Sequence, residues 1–395
     1  MNIHTNGNDR YILYTIDDFQ YGGVTTFVKQ YTSMASLSGY QSVVVGFSGD
    51  IPNPKALFPH SIVIEIPRYI IYGFFGRLIS FFRYRQAIQQ LYKKYTFETI
   101  HFSTTWSTLY TYTIKKTWQT KNVITFYGLY HKEFISLFGD KPPKFAFIKS
   151  LLIFMFQRLS LFLPNTIITF STFAKQQIHS SFGIAFSMKT TIIPGTIIPS
   201  KFTPHRKQPR APFTIVNLGR AELRKGISLL LEACRLLINK DIDFQALIAS
   251  PIVYYKNNHI LEIYEHLQLF SRVHLLHAAN TLDKIRLLRQ ADVFVMPSIK
   301  LETFGMTVLE SLQAGVPVIA TPIGALSEIL RKVDKRLICK TTTPKSLADQ
   351  LMWYYQLSTK EKNVLRRKSW HVVHTYYNHY VWKNTLKQIY QNLST

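Results

Sequence analysis

Short apolar segments alternate with longer segments of helical periodicity along the whole chain. The apolar segments are rich in β-branched residues and lack polar alternation, so each strand is expected to be buried on both faces, as in a parallel sheet covered by helices. They are Tyr11–Ile16, Ser42–Phe47, Thr99–Phe102, Asn122–Tyr127, Thr166–Phe170, Phe213–Gly219, Phe244–Ser250, Arg272–His277, Asp292–Pro297 and Val316–Thr321. The segments between them carry apolar stripes at helical spacing, such as Ile227, Leu230, Leu231, Cys234 and Leu237. This alternation predicts an α/β chain with doubly wound parallel sheets.

The length of 395 residues favours two domains over one. The best boundary is the segment 201–212, which contains three prolines and four basic residues and has little to bury. We therefore expect Rossmann-like domains at residues 1–200 and 213–375, followed by a last amphipathic helix over 376–395. In such sheets ligands bind beyond the carboxyl ends of the strands, which here means a cleft between the domains. Thr343 and Pro344 are suited to the N-cap and first position of a helix.

The composition describes a globular protein with an unusual charge. Hydrophobic residues make up 47% of the chain and charged residues 17%, and 47 basic against 22 acidic residues give a net charge of +25. Cys234 and Cys339 stand apart in apolar segments, which suggests neither a disulfide framework nor a metal site and favours a reducing compartment.

The basic residues are concentrated in two acid-free windows. No Asp or Glu occurs between Glu65 and Glu98, or between Asp140 and Glu222. Both windows mix bases with large apolar residues, as in the segment Arg68–Arg85. This pattern is typical of a surface that binds anionic lipid headgroups. A solvated basic face over core helices and a nucleic-acid surface are the alternatives, although none of the usual nucleic-acid-binding motifs is present and no such partner is expected.

No membrane span or secretory signal is expected from the sequence. The most apolar segment, Lys144–Pro164, is interrupted by Lys149 and Arg158, and its uncharged runs are shorter than the roughly 18–20 residues of a span. The first residues have neither a basic n-region nor an apolar h-region.

Two carboxylates stand close together in a chain that is short of acids. We expect Glu302 in the loop after a strand and Glu310 in the following helix, which should begin near Phe304 and end before Gly315. Gly305 would allow backbone amides at the helix N-terminus to approach a ligand. The two carboxylates would then face the cleft at different depths, which suits a ligand with hydroxyl groups at two places and a phosphate between them. Solvated charges without partners are the alternative.

Cationic and glycine-containing loops follow two other strands. Arg220 and Lys225 precede the helix opened by Gly226, and they can hold phosphate oxygens. Gly22 and Gly23 follow the first strand and can bring amides against an anion. Each signal alone is weak, because glycine pairs are usually turns and such bases are usually surface charges. Their combination at strand ends is more specific.

These segments together resemble the retaining glycosyltransferases of family four, which have the GT-B fold. The similarity covers nearly the whole chain. It is carried by YGGVTTFVKQYTSMASLSGYQSVVVGF from Tyr21, NLGRAELRKGISLLLEAC from Asn217, PSIKLETFGMTVLESLQAGVPVIATPIGALSEI from Pro297 and YYNHYVWKNTLKQIY from Tyr376. The resemblance implies transfer of a sugar from a nucleotide sugar, with front-face departure and attack. It also implies that the closing helix packs back on the first domain.

The resemblance also implies roles for individual residues. Glu310 would hold the ribose hydroxyls, Glu302 the donor sugar, and Arg220 and Lys225 the diphosphate. The remaining donor-site positions are Gly22, Gly23, Phe304, Gly305 and Met306.

Several positions depart from the family pattern. Tyr127 stands where the family usually has a histidine, and His131, four residues later, is either a substitute for it or a surface histidine. Glu302 is followed by Thr303 instead of proline. Ile198 replaces an acidic residue, and a glycine-rich loop is replaced by the sequence SPIVYY from Ser250.

The sequence therefore predicts a retaining hexosyltransferase of cell-envelope glycan biosynthesis, peripheral on the cytoplasmic face of a membrane. Its partners would be a UDP- or GDP-sugar, a lipid-linked or glycan acceptor and an anionic membrane surface, with no cofactor and no metal. A nucleotide-sugar epimerase of the same architecture and a non-catalytic binding module are the alternatives.

Overall fold

The computed structural model describes residues 10–20, 22–68, 73–139, 142–197, 212–250, 259–277 and 281–392. Within these ranges the strands form two separate sheets, one on each side of the segment 198–211. The interdomain linker predicted at 201–212 lies outside the described residues except for Pro212. The prediction of an α/β fold with two Rossmann-like units is confirmed.

The first sheet has seven parallel strands in the order β3-β2-β1-β4-β5-β6-β7. Its strands are β1 (Arg10–Asp18), β2 (Tyr40–Phe47), β3 (Ser61–Ile66), β4 (Phe97–Phe102), β5 (Lys121–Thr125), β6 (Thr166–Thr169) and β7 (Thr190–Ile192). The helices of this half are α1 (Gly23–Leu37), α2 (Pro54–Leu57), α3 (Gly73–Lys94), α4 (Thr105–Tyr112), α5 (Lys115–Gln119), α6 (Tyr130–Ser136), α7 (Lys144–Phe162), α8 (Thr172–Phe182) and α9 (Ile184–Met188).

The second sheet has five parallel strands in the order β10-β9-β8-β11-β12. They are β8 (Phe213–Leu218), β9 (Phe244–Ser250), β10 (Val273–His277), β11 (Val293–Met296) and β12 (Val318–Ala320). The helices are α10 (Ile227–Ile238), α11 (His259–His266), α12 (Thr281–Gln290), α13 (Met306–Gln313), α14 (Leu326–Leu330), α15 (Pro344–Gln356), α16 (Thr359–Tyr376) and α17 (His379–Asn392).

Each sheet reverses its strand order at one point. The reversal lies between β1 and β4 in the first sheet and between β8 and β11 in the second. The loops that leave these strand pairs diverge to opposite faces and open a crevice at the carboxyl edge, where ligands bind in doubly wound folds. The loops after β8 and β11 carry the predicted cations and Glu302, respectively.

The structure differs from the sequence-based expectation in several elements. The edge strands β3 and β7 are not predicted by the apolar pattern, because β3 contains Glu65 and is only partly buried, and β7 has three residues. Helix α13 begins at Met306, since the left-handed φ of 90° at Gly305 cannot continue a helix. The predicted N-cap Thr343 is confirmed: its side chain accepts a hydrogen bond from the Ser346 amide.

Helix α17 packs against the first sheet's domain. The Trp382 ring stacks on Tyr31 with centroids 5.0 Å apart, and the Tyr390 hydroxyl lies 2.6 Å from Nδ1 of the buried His101. The helix begins at His379, later than expected, because α16 continues through Tyr376. Since α17 belongs in sequence to the second half, its burial in the first ties the two halves together.

Helix α7 differs from the expectation that the apolar segment containing Lys149 and Arg158 is too short to span a membrane. It is continuous over 19 residues, and among the described helices it alone is long and apolar enough to cross a bilayer by length and composition. The two charges do not break it because long basic side chains are compatible with helical geometry and can extend away from an apolar surface.

Candidate functional site

The loop after β8 is held against the end of β11 by close backbone contacts. Leu223–Lys225 form a 3-10 turn that ends at Gly226, whose φ is 68°. A Cβ atom at Gly226 would lie 1.9 Å from the carbonyl oxygen of Pro297, so only glycine fits this approach. The Ile299 amide donates to the carbonyl of Arg224 at 2.9 Å. The two loops therefore form one unit.

This unit brings Lys225 and Glu302 into a buried ion pair. Lys225 Nζ lies 2.6 Å from Glu302 Oε2, which also accepts a hydrogen bond of 3.1 Å from the Ser298 hydroxyl. Glu302 is only 6% exposed. Burial by itself would raise the pKa of Glu302, but the Lys225 ammonium and the nearby Arg224 hold it below its ordinary value. The carboxylate is therefore ionised and fixed in position.

Backbone strain helps to place this carboxylate. Leu301 has a φ of 55°, a left-handed conformation that costs an ordinary residue about 1 kcal/mol. Its carbonyl faces the guanidinium of Arg224, at 3.5 Å from Nη1, and the Ala325 amide donates to the carbonyl of Glu302 at 2.9 Å. The turn is thus supported from two neighbouring segments.

Three charged side chains lie in a row beside this pair. Arg220 and Arg224 both contact Glu222, at 2.9 Å each, through its two different carboxylate oxygens. Arg220 is half exposed, whereas Arg224 is buried. Arg224 was not predicted as a site residue, although its position next to Lys225 in the same loop could have indicated it.

Glu310 also has a cationic partner. It lies in the first two turns of α13, is buried, and accepts hydrogen bonds of 3.0 Å from Lys284 Nζ to both carboxylate oxygens. Lys284 belongs to α12, 26 residues earlier. Nothing in the sequence pattern relates the two residues, because the contact depends on how α12 and α13 pack.

The start of α13 combines a glycine N-cap with a buried aromatic ring. No side chain of the described residues caps this helix, so its first amides are available to an anion. The ring of Phe304 is buried and contacts Phe27, Phe170 and Tyr377, which joins it to the other domain. Phe304 therefore packs between the domains, whereas Gly305 and Met306 contribute backbone amide groups at the start of α13.

On the opposite side of the cleft, Gly22 is the N-cap residue of α1 and Gly23 its first residue. Apart from chain neighbours and the helix's own backbone, no atom of the described residues lies within 4 Å of a Cβ position built on either glycine, so the space there is open to a ligand. Asp17, the second-last residue of β1, is partly buried and accepts hydrogen bonds from the Thr104 hydroxyl (2.6 Å) and the Ser107 amide (2.7 Å). Asp17 was not predicted.

Tyr127 lies at the seam between the domains. Its carbonyl accepts a 2.6 Å hydrogen bond from the Thr303 hydroxyl, and its ring packs against Phe27 and Phe170. Its buried hydroxyl has no hydrogen-bond partner among the described residues, and burial raises its pKa well above the ordinary value. It is a neutral phenol in an aromatic cluster.

His131 faces α7. Its ring meets Phe154 edge to face, with centroids 5.1 Å apart, and burial, with a smaller effect of Lys132, lowers its pKa. Another residue of the same helix, Glu133, faces the cleft instead. A Cβ atom at Gly128 would lie 2.8 Å from Glu133 Oε1 and 3.6 Å from Thr303.

Glu133 was missed by sequence reasoning. Burial raises the pKa of its carboxyl group, and the opposing charges that act on it are Arg224, Arg220 and Lys225 of the other domain. It therefore faces the cationic loop across the cleft. Ile198 and the segment after Ser250, where the chain departs from the family pattern, lie outside the described residues.

A surface cavity of about 650 Å³ lies elsewhere, at the carboxyl end of α13, where Ala314, Gly315, Arg366, Trp370 and His371 contribute to its walls. It contains none of the charged site residues described above. The charged cluster is instead an open crevice between two domains.

Two family models match consecutive parts of the chain. Residues 21–201 match Glycosyltransferase Family 4, and residues 201–369 match Glycosyl transferases group 1. The matches divide the chain in the segment between β7 and β8, and together they include all the predicted site residues.

Among curated relatives, a subunit of the human phosphatidylinositol N-acetylglucosaminyltransferase is 31% identical over 161 residues, which are 41% of this chain and 32% of the relative. The chain spans about a third to a half of the length of this and other curated relatives that it matches.

Solved structures agree over nearly the whole chain. Sucrose-phosphate synthase from Thermosynechococcus elongatus superposes with a TM-score of 0.81 at 18% identity, covering 98% of this chain and 99% of that one. Anabaena HepE in complex with UDP and glucose gives a TM-score of 0.75 at 14% identity, covering 96% and 99%. At these identities the likeness establishes the fold.

Proposed function

Because this chain is a glycosyltransferase of the group 1 and family 4 type with the GT-B fold, we propose that it transfers a sugar with retention of configuration. The donor is a nucleotide sugar, UDP- or GDP-linked, and the acceptor is a lipid-linked or glycan molecule of cell-envelope biosynthesis. The epimerase and the non-catalytic module have no counterpart among the matched proteins named above.

The observation that supports this proposal is the convergence of both charge signs at the β8–β11 reversal. Lys225, Arg220 and Arg224 stand beside Glu302, and Glu310 lies further along α13. A nucleotide sugar has the matching order of groups: ribose hydroxyls, a diphosphate and sugar hydroxyls. Glu310 would hold the ribose, and Glu302 would hold the sugar. The cations and the amides at the start of α13 would hold the diphosphate.

The charges also suit the chemistry of transfer. As the bond between the anomeric carbon and the diphosphate breaks, negative charge grows on the leaving group, and Lys225, Arg220 and the helix start stabilise it. The acceptor oxygen bonds to the anomeric carbon on the same face, and its proton passes to the departing phosphate. Since side chains and backbone amides would stabilise the diphosphate leaving group, we propose that no metal ion is needed. We therefore expect the chelator EDTA to leave the rate unchanged.

The similar proteins support the choice of donor and acceptor. The Anabaena structure contains UDP and glucose, and the human relative's name includes phosphatidylinositol, a lipid. We accordingly propose a UDP-sugar as the first donor to test and a lipid as the first acceptor, with the protein peripheral on the cytoplasmic face of the membrane.

The donor site is tested by nucleotide binding. A panel of nucleotide sugars is first screened for thermal stabilisation of the protein, and the best nucleotide is then measured by calorimetry. Glu310→Gln is expected to weaken binding by about 1.5–3 kcal/mol, as for a lost hydrogen bond to a charged group. Glu232→Gln is the matched control, since Glu232 is exposed on α10. Unchanged binding of both UDP and GDP to Glu310→Gln would contradict the site.

Retention is tested separately on the product. NMR of the newly formed linkage shows whether the anomeric configuration equals that of the donor. An inverted linkage would refute the proposed stereochemistry and leave the donor site intact.

A further inference from the structure

Helix α7 has its polarity reversed relative to an ordinary surface helix. Its buried residues are small or polar: Ala146, Ser150, Gln157 and Ser160, with Leu161. Gln157 Nε2 donates to the carbonyl of Gly128 at 2.7 Å, its Oε1 accepts from the Tyr130 amide at 3.2 Å, and the Ser150 hydroxyl donates to the carbonyl of His131 at 3.1 Å. The inward face is therefore committed to hydrogen bonds with the domain.

The outward face of α7 is apolar. Six large side chains at helical spacing are 48–67% exposed: Phe147, Ile148, Leu151, Leu152, Met155 and Phe162. In water this arrangement forgoes the hydrophobic burial that stabilises surface helices. A continuous exposed apolar face of this kind indicates an interaction surface.

The face continues onto neighbouring helices through touching aromatic rings. Phe156 of α7 contacts Trp106 of α4, with centroids 5.0 Å apart, and Trp106 contacts Tyr110. Tyr110 in turn contacts Phe81 of α3, next to the exposed Phe82. Three helices thus present one surface, and a tryptophan lies in its middle.

The charged side chains of α3 and α7 have one sign. Lys144, Lys149 and Arg158 are exposed on α7, and Arg77 and Arg83 are exposed on α3. Neither helix contains an acidic residue. Exposed apolar side chains beside bases and without acids match an anionic bilayer surface, where headgroups meet the bases and acyl chains the apolar groups.

We propose that α7, with Trp106 and the exposed side of α3, is a lipid-embedded face that lies flat on an anionic bilayer. A helix of 19 residues is about 28 Å long, enough to span. Spanning, however, would remove Gln157 and Ser150 from their hydrogen bonds to Gly128, Tyr130 and His131. With the helix axis parallel to the bilayer surface, these hydrogen bonds are kept and only the outward face of α7 enters the lipid.

This inference rests on the proposed function in one respect, since it names the surface through which a lipid acceptor would arrive. The loop bonded to Gln157 runs from Gly128 to Tyr130, and the same segment carries Glu133 at the cleft. The bilayer would thus be separated by the thickness of α7 from the side of the cleft at which the acceptor is proposed to bind. The loop would be held by a membrane-bound helix during turnover.

The test compares two double substitutions on exposed positions. Ile148→Glu with Leu151→Glu places charge in the face, and Phe270→Glu with Leu282→Glu places the same charges on similarly exposed residues of the other domain. Co-sedimentation uses vesicles of phosphatidylcholine alone and with phosphatidylglycerol. We expect the wild type and the control pair to bind the anionic vesicles, and the Ile148/Leu151 pair to bind at least about tenfold more weakly.

A second measurement locates the surface. Brominated lipids should quench the fluorescence of the wild type, and Trp106→Phe should remove most of that quenching although four other tryptophans remain. Equal vesicle binding by both double variants, no wild-type binding to anionic vesicles, or quenching unchanged in Trp106→Phe would overturn the inference. So would a wild-type dimer in lipid-free solution that the Ile148/Leu151 pair converts to a monomer.

Nucleotide binding, measured on the same samples, separates this inference from the proposed function. If the membrane face is wrong, UDP or GDP still binds and only vesicle binding fails. If the donor site is wrong, vesicle binding persists in a protein that binds no nucleotide.

Discussion

One carboxylate lies near the strand-order reversal of each sheet, and of the two Glu302 is buried and Asp17 partly buried. Glu302 follows β11 and has a cation, Lys225, at 2.6 Å. Asp17 is the second-last residue of β1, and its hydrogen bonds come from neutral groups, the hydroxyl of Thr104 and the amide of Ser107, both to Oδ1. The environments consequently shift the two acids in opposite directions. The pKa of Glu302 is lowered, whereas burial raises the pKa of Asp17 to about 6.

The two sides of the cleft therefore differ in how their charged groups are neutralised. The second domain keeps charges of both signs in contact, as in the pairs Lys225–Glu302 and Lys284–Glu310, so the donor proposed above would replace one member of a pair without leaving a charge unpaired. In the first domain, Asp17 is held by neutral hydrogen-bond donors, and Tyr127 lies in an aromatic cluster.

Loss of Lys225 should have the largest effect. Lys225→Ala leaves Glu302 buried without its counter-charge, and breaking a buried pair costs about 3 kcal/mol of folding stability. Donor turnover should fall by roughly 100-fold or more, because a cation aimed at the leaving group is also lost. Urea unfolding and steady-state kinetics measure the two effects.

The double variant Lys225→Ala with Glu302→Gln separates charge from function. It should recover most of the lost stability, because the uncompensated carboxylate is gone, and none of the lost activity. If the single and double variants are equally stable, the ion pair does not have the energetic role assigned to it.

Ionisation of Asp17, in the first domain, should destabilise the folded protein, whereas the ionised Glu302 is stabilised by its ion pair. A folded-state pKa of about 6 against an ordinary value of 3.8 means that the folded protein binds the proton more tightly. The stability contributed by Asp17 is therefore lost as the pH rises from about 4 to about 6. A shift of about two units corresponds to at most about 3 kcal/mol.

Asp17→Asn removes this loss and keeps an oxygen for both hydrogen bonds. The variant should be more stable than the wild type by about 1–3 kcal/mol at pH 7.5 and nearly equal to it at pH 4. Chemical unfolding at both pH values measures the difference. A variant that is less stable at pH 7.5 would show that the folded protein holds Asp17 as a favourable anion.

The smallest effect is expected at Glu133, which faces the cationic loop from across the cleft. Its negative charge competes with a diphosphate for Arg224, Arg220 and Lys225. Glu133→Gln should therefore tighten UDP binding by roughly two- to fivefold, in keeping with the modest energies of partly exposed charge pairs. Calorimetry at low and high salt tests this, and weaker binding by the variant would contradict the assigned geometry.

The sequence allowed much of the second domain to be predicted. Its buried strands are uniformly apolar, and the charged positions stand out against them, so Arg220, Lys225, Glu302 and Glu310 could be selected from their places after strands. Arg224, Lys284, Asp17 and Glu133 were missed. Lys284 and Asp17 have partners 26 to 90 residues away, and Glu133 faces charges of the other domain, so local periodicity carries no information on these contacts. Arg224, in contrast, could have been indicated by its position next to Lys225.

The chain's own pattern of apolar, glycine and charged positions determined the alternating strands and helices, the two sheets and the strand ends at which chemistry is possible, because these depend on local periodicity and backbone freedom. Only the tertiary structure decided which charges become partners and which face of α7 turns outward. Both depend on packing between distant segments: a helix rich in apolar residues looks buried in sequence until the polar hydrogen bonds of Gln157 and Ser150 fix its other side against the protein.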